Sequence, residues 1–191
     1  MQRGLQANTI NRRLATVKSM VRMARRLEMC DWTLAEVDSL KVKPYKDTRG
    51  VSVEQYGQIL SQIDRSTMTG SRDFAMLTLL WENGLRRSEM VGCDVRHFDA
   101  RLSRLSILGK GREERDWVAL MPNSVIAILQ WLEQREDYIQ MDPLFIALDR
   151  ANLGKRLSGT SVYRIVRALG QQAGVSEVFS PHKIWHSGVT V

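Results

Sequence analysis

Residues 81–120 read WENGLRRSEMVGCDVRHFDARLSRLSILGKGREERDWVAL, and the fold turns on how that stretch is parsed. A buried apolar run ends at Gly84, a residue suited to the left-handed position after a helix. Arg86 and Arg87 then open a short polar helix over 86–91 that carries Glu89, and 94–100 read as a loop. Two segments, 104–108 and 115–120, read as antiparallel strands joined through Gly109-Lys110-Gly111-Arg112-Glu113-Glu114. The lysine between glycines stands at the hairpin tip, where a flexible turn lets an ammonium reach a site from the side.

Upstream, residues 74–81, FAMLTLLW, are apolar almost all round and predict a helix buried on most sides, with a break at 68–71 before it. Ser52 caps a preceding helix in which Val53, Tyr56, Ile59, Leu60 and Ile63 recur at helical spacing. Periodicity disappears over 40–50, LKVKPYKDTRG, where Pro44 forbids a helix interior, so 44–50 read as a linker between segments 1–43 and 51–191. Residues 9–29 read as an amphipathic helix capped by Asn8 or Thr9, with Ile10, Leu14, Val17, Val21 and Ala24 in one apolar stripe. Such a helix cannot bury its stripe alone and needs other helices or the body of the chain.

Downstream, Pro122 and Asn123 start a helix with Val125, Ile128, Leu129 and Leu132 facing a core, and 143–148, PLFIAL, read as a third strand. Thr160 caps a helix with Val162, Ile165, Val166 and Leu169 inward, ended by Gly174. Ser180-Pro181 starts the last helix by the cap-then-proline rule. The fold class is therefore α+β, mostly helical, with a small antiparallel sheet.

Composition sets outer bounds. The 191 residues are 43% hydrophobic and 26% charged, ordinary for a globular protein with one good core. No apolar run approaches membrane-helix length, and the N-terminus lacks a signal-peptide pattern. Cys30 and Cys93 form neither a disulfide framework nor a ligand pair and read as buried thiols in a reducing cytoplasm. The net charge is +7, concentrated near the start: residues 1–30 hold seven basic side chains against Glu28 alone. That asymmetry is either a solvated helix face or a polyanion-binding segment that works through phosphate contacts.

The polar candidates each have two readings. Arg86 and Glu89, three apart on a helix turn, make a surface ion pair or a braced phosphate clamp. Lys110 is a plain tip lysine or an acid poised beside a leaving oxygen; the frame of a nucleotide-binding P-loop is absent. His182 and His186 lack the Glu and third ligand that a zinc site needs, so no metal is assigned to them. They are core or capping histidines, or donors of N–H groups to an anion. Cations and donors gathered from separate segments fit the non-bridging oxygens of a phosphodiester.

Three fragments in this order resemble the tyrosine recombinase (phage integrase) family. They are Gly84-Leu85-Arg86-Arg87-Ser88-Glu89, Leu108-Gly109-Lys110-Gly111 and Pro181-His182-Lys183-Ile184-Trp185-His186-Ser187. The resemblance implies an integrase-like catalytic domain over 51–191 and, over 1–43, the last part of a helical core-binding domain. It implies duplex DNA as partner and cleavage through a 3′-phosphotyrosyl link, without cofactor or metal. By position, Arg86 would hold the scissile phosphate with Glu89 in support. Lys110 would protonate the leaving 5′-oxygen, His182 would assist proton transfer and His186 would orient the site. Arg12, Arg13, Lys18, Arg22, Arg25, Arg26, Arg87 and Arg112 are the expected DNA contacts. Two departures weigh against cleavage by these residues. Trp185 stands where the family has its second arginine, and an indole offers one uncharged N–H. Tyr45, Tyr56, Tyr138 and Tyr163 all precede the last box and match no nucleophile, so they read as core or surface aromatics. A non-catalytic DNA-binding regulator is the alternative. The family acts as a tetramer on two DNA sites; a free monomer and a cytoplasmic, nucleoid-associated location are expected here.

Overall fold

A computed structural model describes residues 5–42, 51–175, 179–182 and 184. The chain divides into two units, Met1–Thr48 and Arg49–Val191. The segment read as a linker, along with Tyr45, Trp185 and His186, lies outside the described residues.

In the first unit α1 spans Ala7–Arg26. It starts earlier than Asn8 or Thr9 would cap it. Gln6 takes the cap position, with its carbonyl accepting from the N–H groups of Thr9 and Ile10 at 2.9 and 3.1 Å. Asn11 is instead spent on the returning chain, exchanging two hydrogen bonds with the Leu40 backbone at 2.8 and 2.9 Å. Past the helix, Glu28 takes φ 55°, and the Met29 N–H closes back on the Ala24 carbonyl. The expected apolar stripe is mostly uncovered: Val21 alone is buried in α1, while Ile10 and Val17 are exposed. Cys30 is half-buried rather than buried.

The second unit begins with α2 (Val53–Ser61), where Ser52 and Gln55 complete a reciprocal capping box. The break expected at 68–71 is absent, because α3 runs Met68–Glu82 from a cap on Thr67, whose hydroxyl accepts from the Gly70 N–H. Gly70 is a close-approach glycine. A Cβ there would lie 2.0 Å from the Asp64 carbonyl oxygen. Ala75, Met76, Leu77, Thr78, Leu79 and Leu80 are all buried, as a central helix requires. Asn83 and Gly84 (φ 55°) end it, and the Leu85 N–H returns to the Leu79 carbonyl.

A short helix α4 (Arg87–Val91) and a 3-10 turn (Val95–His97) lead into the sheet. Its strands are β1 (Phe98–Asp99), β2 (Arg104–Leu108) and β3 (Arg115–Ala119), all antiparallel in sequence order. Leu105 pairs with both Phe98 and Val118, so one face is apolar and joins the core. The third strand therefore falls inside the stretch read as a loop. The 143–148 segment makes only isolated bridges, Asp94 with Pro143 and Ile146 with Arg156. Leu144, Phe145, Ile146 and Ala147 are buried while the backbone is held piecemeal, including the Leu144 carbonyl by Trp131 Nε1–H at 2.8 Å.

Helix α5 (Pro122–Arg135) packs on α3. Of its side chains expected inward, Ile128 and Leu132 are buried and Val125 packs against the core, whereas Leu129 is exposed and Ala127 and Trp131 face inward. Helix α6 (Gly159–Gln172) is capped by Ser158, not Thr160, and buries Val162 and Val166. At Ser180 a further helical turn begins, with the Ile184 N–H donating to the Ser180 carbonyl at 3.1 Å. No helix among the described residues is long and apolar enough to cross a membrane.

Candidate functional site

Four separate segments of the second unit line one cleft of about 530 Å3. They contribute Arg86, Arg87 and Ser88 from the start of α4, Lys110 from the β2–β3 tip, Tyr163 from α6, and Ser180, Pro181 and His182. Among the described residues, the charged side chains lining it are cationic and no carboxylate does so.

Arg86, Arg87 and Lys110 are each placed by a local device. Gly84 turns the chain so that Leu85 is buried and Arg86 emerges with its side chain half exposed, 52%. Glu89 lies behind Arg86, only 4% exposed. One carboxylate oxygen accepts from the Arg86 N–H at 2.8 Å and the other from Arg86 Nη1 at 2.9 Å. The acid thus satisfies the first amide of α4 and braces the guanidinium at once, in a side chain that also lines the cleft. Arg87 lies across Gly159: a Cβ added there would be 3.1 Å from Arg87 Nε, so the bare glycine lets Arg87 cross the start of α6.

At the hairpin tip the Arg112 N–H donates to the Gly109 carbonyl at 3.1 Å, and Gly111 takes φ 78°. A tight turn with positive φ at that place needs glycine, and it puts the exposed Lys110 at its corner. Arg112 folds back over Gly109 and pairs with Asp116, so it belongs to the hairpin and does not line the cleft.

Behind the site, burial pushes the Cys93 thiol up to about 11, far from a reactive thiolate. Burial, reinforced by the nearby Arg115 charge, holds the His97 imidazole below its usual range. Its Nδ1 accepts from the Asp94 N–H at 2.8 Å, which requires that nitrogen to be unprotonated. Burial works to raise Asp94, but the hydrogen bond and charge of Arg156 outweigh it, so its carboxyl titrates below the ordinary range.

The structure thus gathers Arg86, Lys110 and His182, with Glu89 beneath. Among the other sequence candidates, Arg87 joins them. Arg12, Arg13, Lys18, Arg22, Arg25 and Arg26 sit on α1 in the first unit. There Lys18, Arg22 and Arg25 line a groove of about 290 Å3 closed by Thr33, Leu34 and Ala35. Sequence reasoning passed over Ser88, Ser180 and Tyr163 as lining residues. Tyr163 is an aromatic on the outward side of an amphipathic helix, and nothing in its spacing marks it as facing a cleft.

Residues 50–190 match the model of the Phage integrase family. Tyrosine recombinase slr0733 of Synechocystis sp. is 40% identical over 190 residues, covering 100% of this chain and 61% of the relative. Tyrosine recombinase XerC of Escherichia coli is 30% identical over 199 residues, covering 99% and 62%. The chain thus spans about three-fifths of the length of these relatives. Among solved structures, the Tn1549 transposon integrase in complex with a circular intermediate DNA superposes with a TM-score of 0.75 at 15% identity, covering 99% of this chain and 67% of that one. XerH recombinase bound to its difH substrate gives 0.61 at 22% identity, covering 75% and 42%. The fold is that of these recombinases, and by sequence the chain belongs to the phage integrase family of tyrosine recombinases.

Proposed function

We propose that this chain is the phosphodiester-holding part of a site-specific DNA recombinase, with double-stranded DNA as its partner. One observation carries the reading: Arg86, Lys110 and His182, from three distant segments, line a single cleft with the Arg86 guanidinium braced by buried Glu89. XerH and the Tn1549 integrase are described as DNA complexes, which supports the choice of polyanion.

In the proposed chemistry, Arg86 donates to non-bridging oxygens of the scissile phosphate, where charge builds as the phosphorus is attacked. A tyrosine oxygen forms the new bond to phosphorus and the 5′-oxygen leaves, taking its proton from Lys110. His182 assists proton transfer at the phosphate and His186 orients the group. The phosphotyrosyl link conserves the bond energy for rejoining. Trp185 in place of the second arginine removes a bidentate cation, a loss worth about a hundred- to thousand-fold in rate for a transition-state donor of this kind. None of the chain's four tyrosines follows the last box. Residues 1–191 by themselves are expected to bind duplex DNA, as a monomer when free, and to form no covalent adduct with it. Segment 1–43 would add phosphate contacts through Arg12, Arg13, Lys18, Arg22, Arg25 and Arg26, as the partial core-binding domain. Arg87 and Arg112 would contact the duplex from the second unit.

Fluorescence anisotropy with a labelled duplex across a salt series tests the reading, with a denaturing gel to detect covalent adducts. Expected are an affinity that falls steeply with salt and no adduct. An affinity indifferent to salt contradicts DNA binding, and a covalent adduct overturns the non-cleaving assignment in favour of an active strand-transfer enzyme.

A further inference from the structure

Helix α4 carries both Arg86, at its cap, and Glu89, yet it is only five residues long. A helix of that length does not hold itself in water. Its N-terminal end is tied by Glu89. At its other end the carbonyls of Val91, Gly92 and Cys93 follow one another, and helix-terminal carbonyls lack intrahelical donors. Two guanidinium groups collect all three. Arg156 Nη1 donates to the Val91 and Cys93 carbonyls at 2.9 and 3.0 Å, and Arg115 Nη2 donates to the Gly92 carbonyl at 2.6 Å.

We infer that Arg115 and Arg156 are positioning residues that clamp the C-terminal end of α4 and so set where the Arg86 guanidinium stands relative to the other walls of the cleft. Each arginine ties α4 to a different wall. Arg115 opens β3, the second arm of the hairpin whose tip carries Lys110, and its Nη1 also donates to the Ser106 carbonyl on β2 at 2.6 Å. Arg156 lies just ahead of α6, which carries Tyr163 and the Gly159 that Arg87 crosses. Its Nη2 is held in turn by the Asp94 carboxylate. Positive charge at a helix C-terminus is favourable in itself. The planar fork matters more, because each guanidinium spans two carbonyls and an ammonium on a flexible stem cannot reproduce that fixed geometry.

The inference rests on the phosphodiester reading of the cleft, and a double-mutant cycle separates the two. The 191-residue chain is titrated with inorganic phosphate, followed by the amide resonances of Arg87, Ser88 and Gly111, and thermal unfolding is recorded in parallel. Arg86→Ala is expected to weaken phosphate binding about tenfold, the ratio for a loss of about 1.4 kcal/mol. Arg115→Lys and Arg156→Lys keep the charge and are each expected to cost roughly three- to tenfold, toward the lower end of coupling between groups in one network. On an Arg86→Ala background the same lysine variants are expected to change nothing further. Should Arg115→Lys not fold, Arg156→Lys carries the same test. Unchanged phosphate affinity in the lysine variants, whatever their melting temperature, overturns the clamp alone. An equal loss with and without Arg86 also overturns it, since the arginines would then act by another route. Undiminished affinity in Arg86→Ala overturns the cleft reading and the clamp together.

Discussion

Replacing Glu89 tests the bracing of Arg86 most directly. Its carboxylate is 4% exposed and accepts two hydrogen bonds from a single residue, the Arg86 N–H at 2.8 Å and Nη1 at 2.9 Å. The first is the N3 half of a capping box at the start of α4, and losing a capping bond of this kind costs about 1–2 kcal/mol. The second joins a buried oxygen to a guanidinium that is 52% exposed, so solvent screening holds its worth to about 0.5–1 kcal/mol. Glu89→Ala should therefore destabilise the second unit by about 1.5–3 kcal/mol. At roughly 2–4 °C per kcal/mol for a domain of this size, the melting temperature falls by about 3–12 °C. Glu89→Gln keeps a carbonyl for the Arg86 N–H but turns an amide toward the guanidinium, so it should lose only about 0.5–1.5 kcal/mol. Urea denaturation of the three proteins gives the order wild type, Gln, Ala. A Gln variant as unstable as Ala would show that charge rather than the cap holds the turn. A cost below about 0.5 kcal/mol in both, less than one ordinary hydrogen bond, would refute the bracing argument.

Three further outcomes follow from other parts of the molecule. His97 has a folded-state pKa below its ordinary 6.5, so as pH falls the unfolded chain takes up the proton first. Its contribution is complete above about 6.5 and is lost as pH drops from there toward the folded value. His97→Gln should flatten that part of a urea-midpoint-against-pH curve, and an unaltered slope would remove His97 from the account. Gly70→Ala would gain about 1 kcal/mol in a free helix. Here the new Cβ meets the Asp64 carbonyl, and a loss of about 1–3 kcal/mol is expected in chemical denaturation. Trp131→Phe removes the donor to the buried Leu144 carbonyl and should cost about 1–3 kcal/mol for that group, before any cavity is counted; calorimetry reads it.

What could be read in the sequence was what local rules govern. The FAMLTLLW helix, its Gly84 ending and the hairpin between Arg104 and Ala119 follow from apolar content, a required positive φ and two short runs flanking a glycine-bearing turn. The third strand was misplaced because Phe98 and Asp99 are too few to show alternation, whereas 143–148 are apolar for another reason. They thread the core as irregular chain whose backbone partners come from Trp131, Cys93 and Lys155. On α5 the face was legible through Val125, Ile128 and Leu132, but Leu129 stands outward and Trp131 inward, where the indole has a hydrogen bond waiting. In the cleft, Arg86 and Lys110 stand in short motifs whose chemistry a reader can weigh. Tyr163, Arg115 and Arg156 acquire their places only when distant segments meet, and no spacing announces them.

The sheet's outer margin has a consequence for how copies of the molecule meet. Among the described residues β3 pairs on one side only, with β2. An uncovered margin of this kind invites a like strand from a second molecule, and natural chains deter it by brevity and by charge. β3 is five residues long, and its exposed Asp116 is held to Arg112. A stranger strand would have to desolvate that pair for the sake of a few amide bonds. The molecule thereby keeps a hairpin extended into solvent without its becoming a template for fibrous self-association.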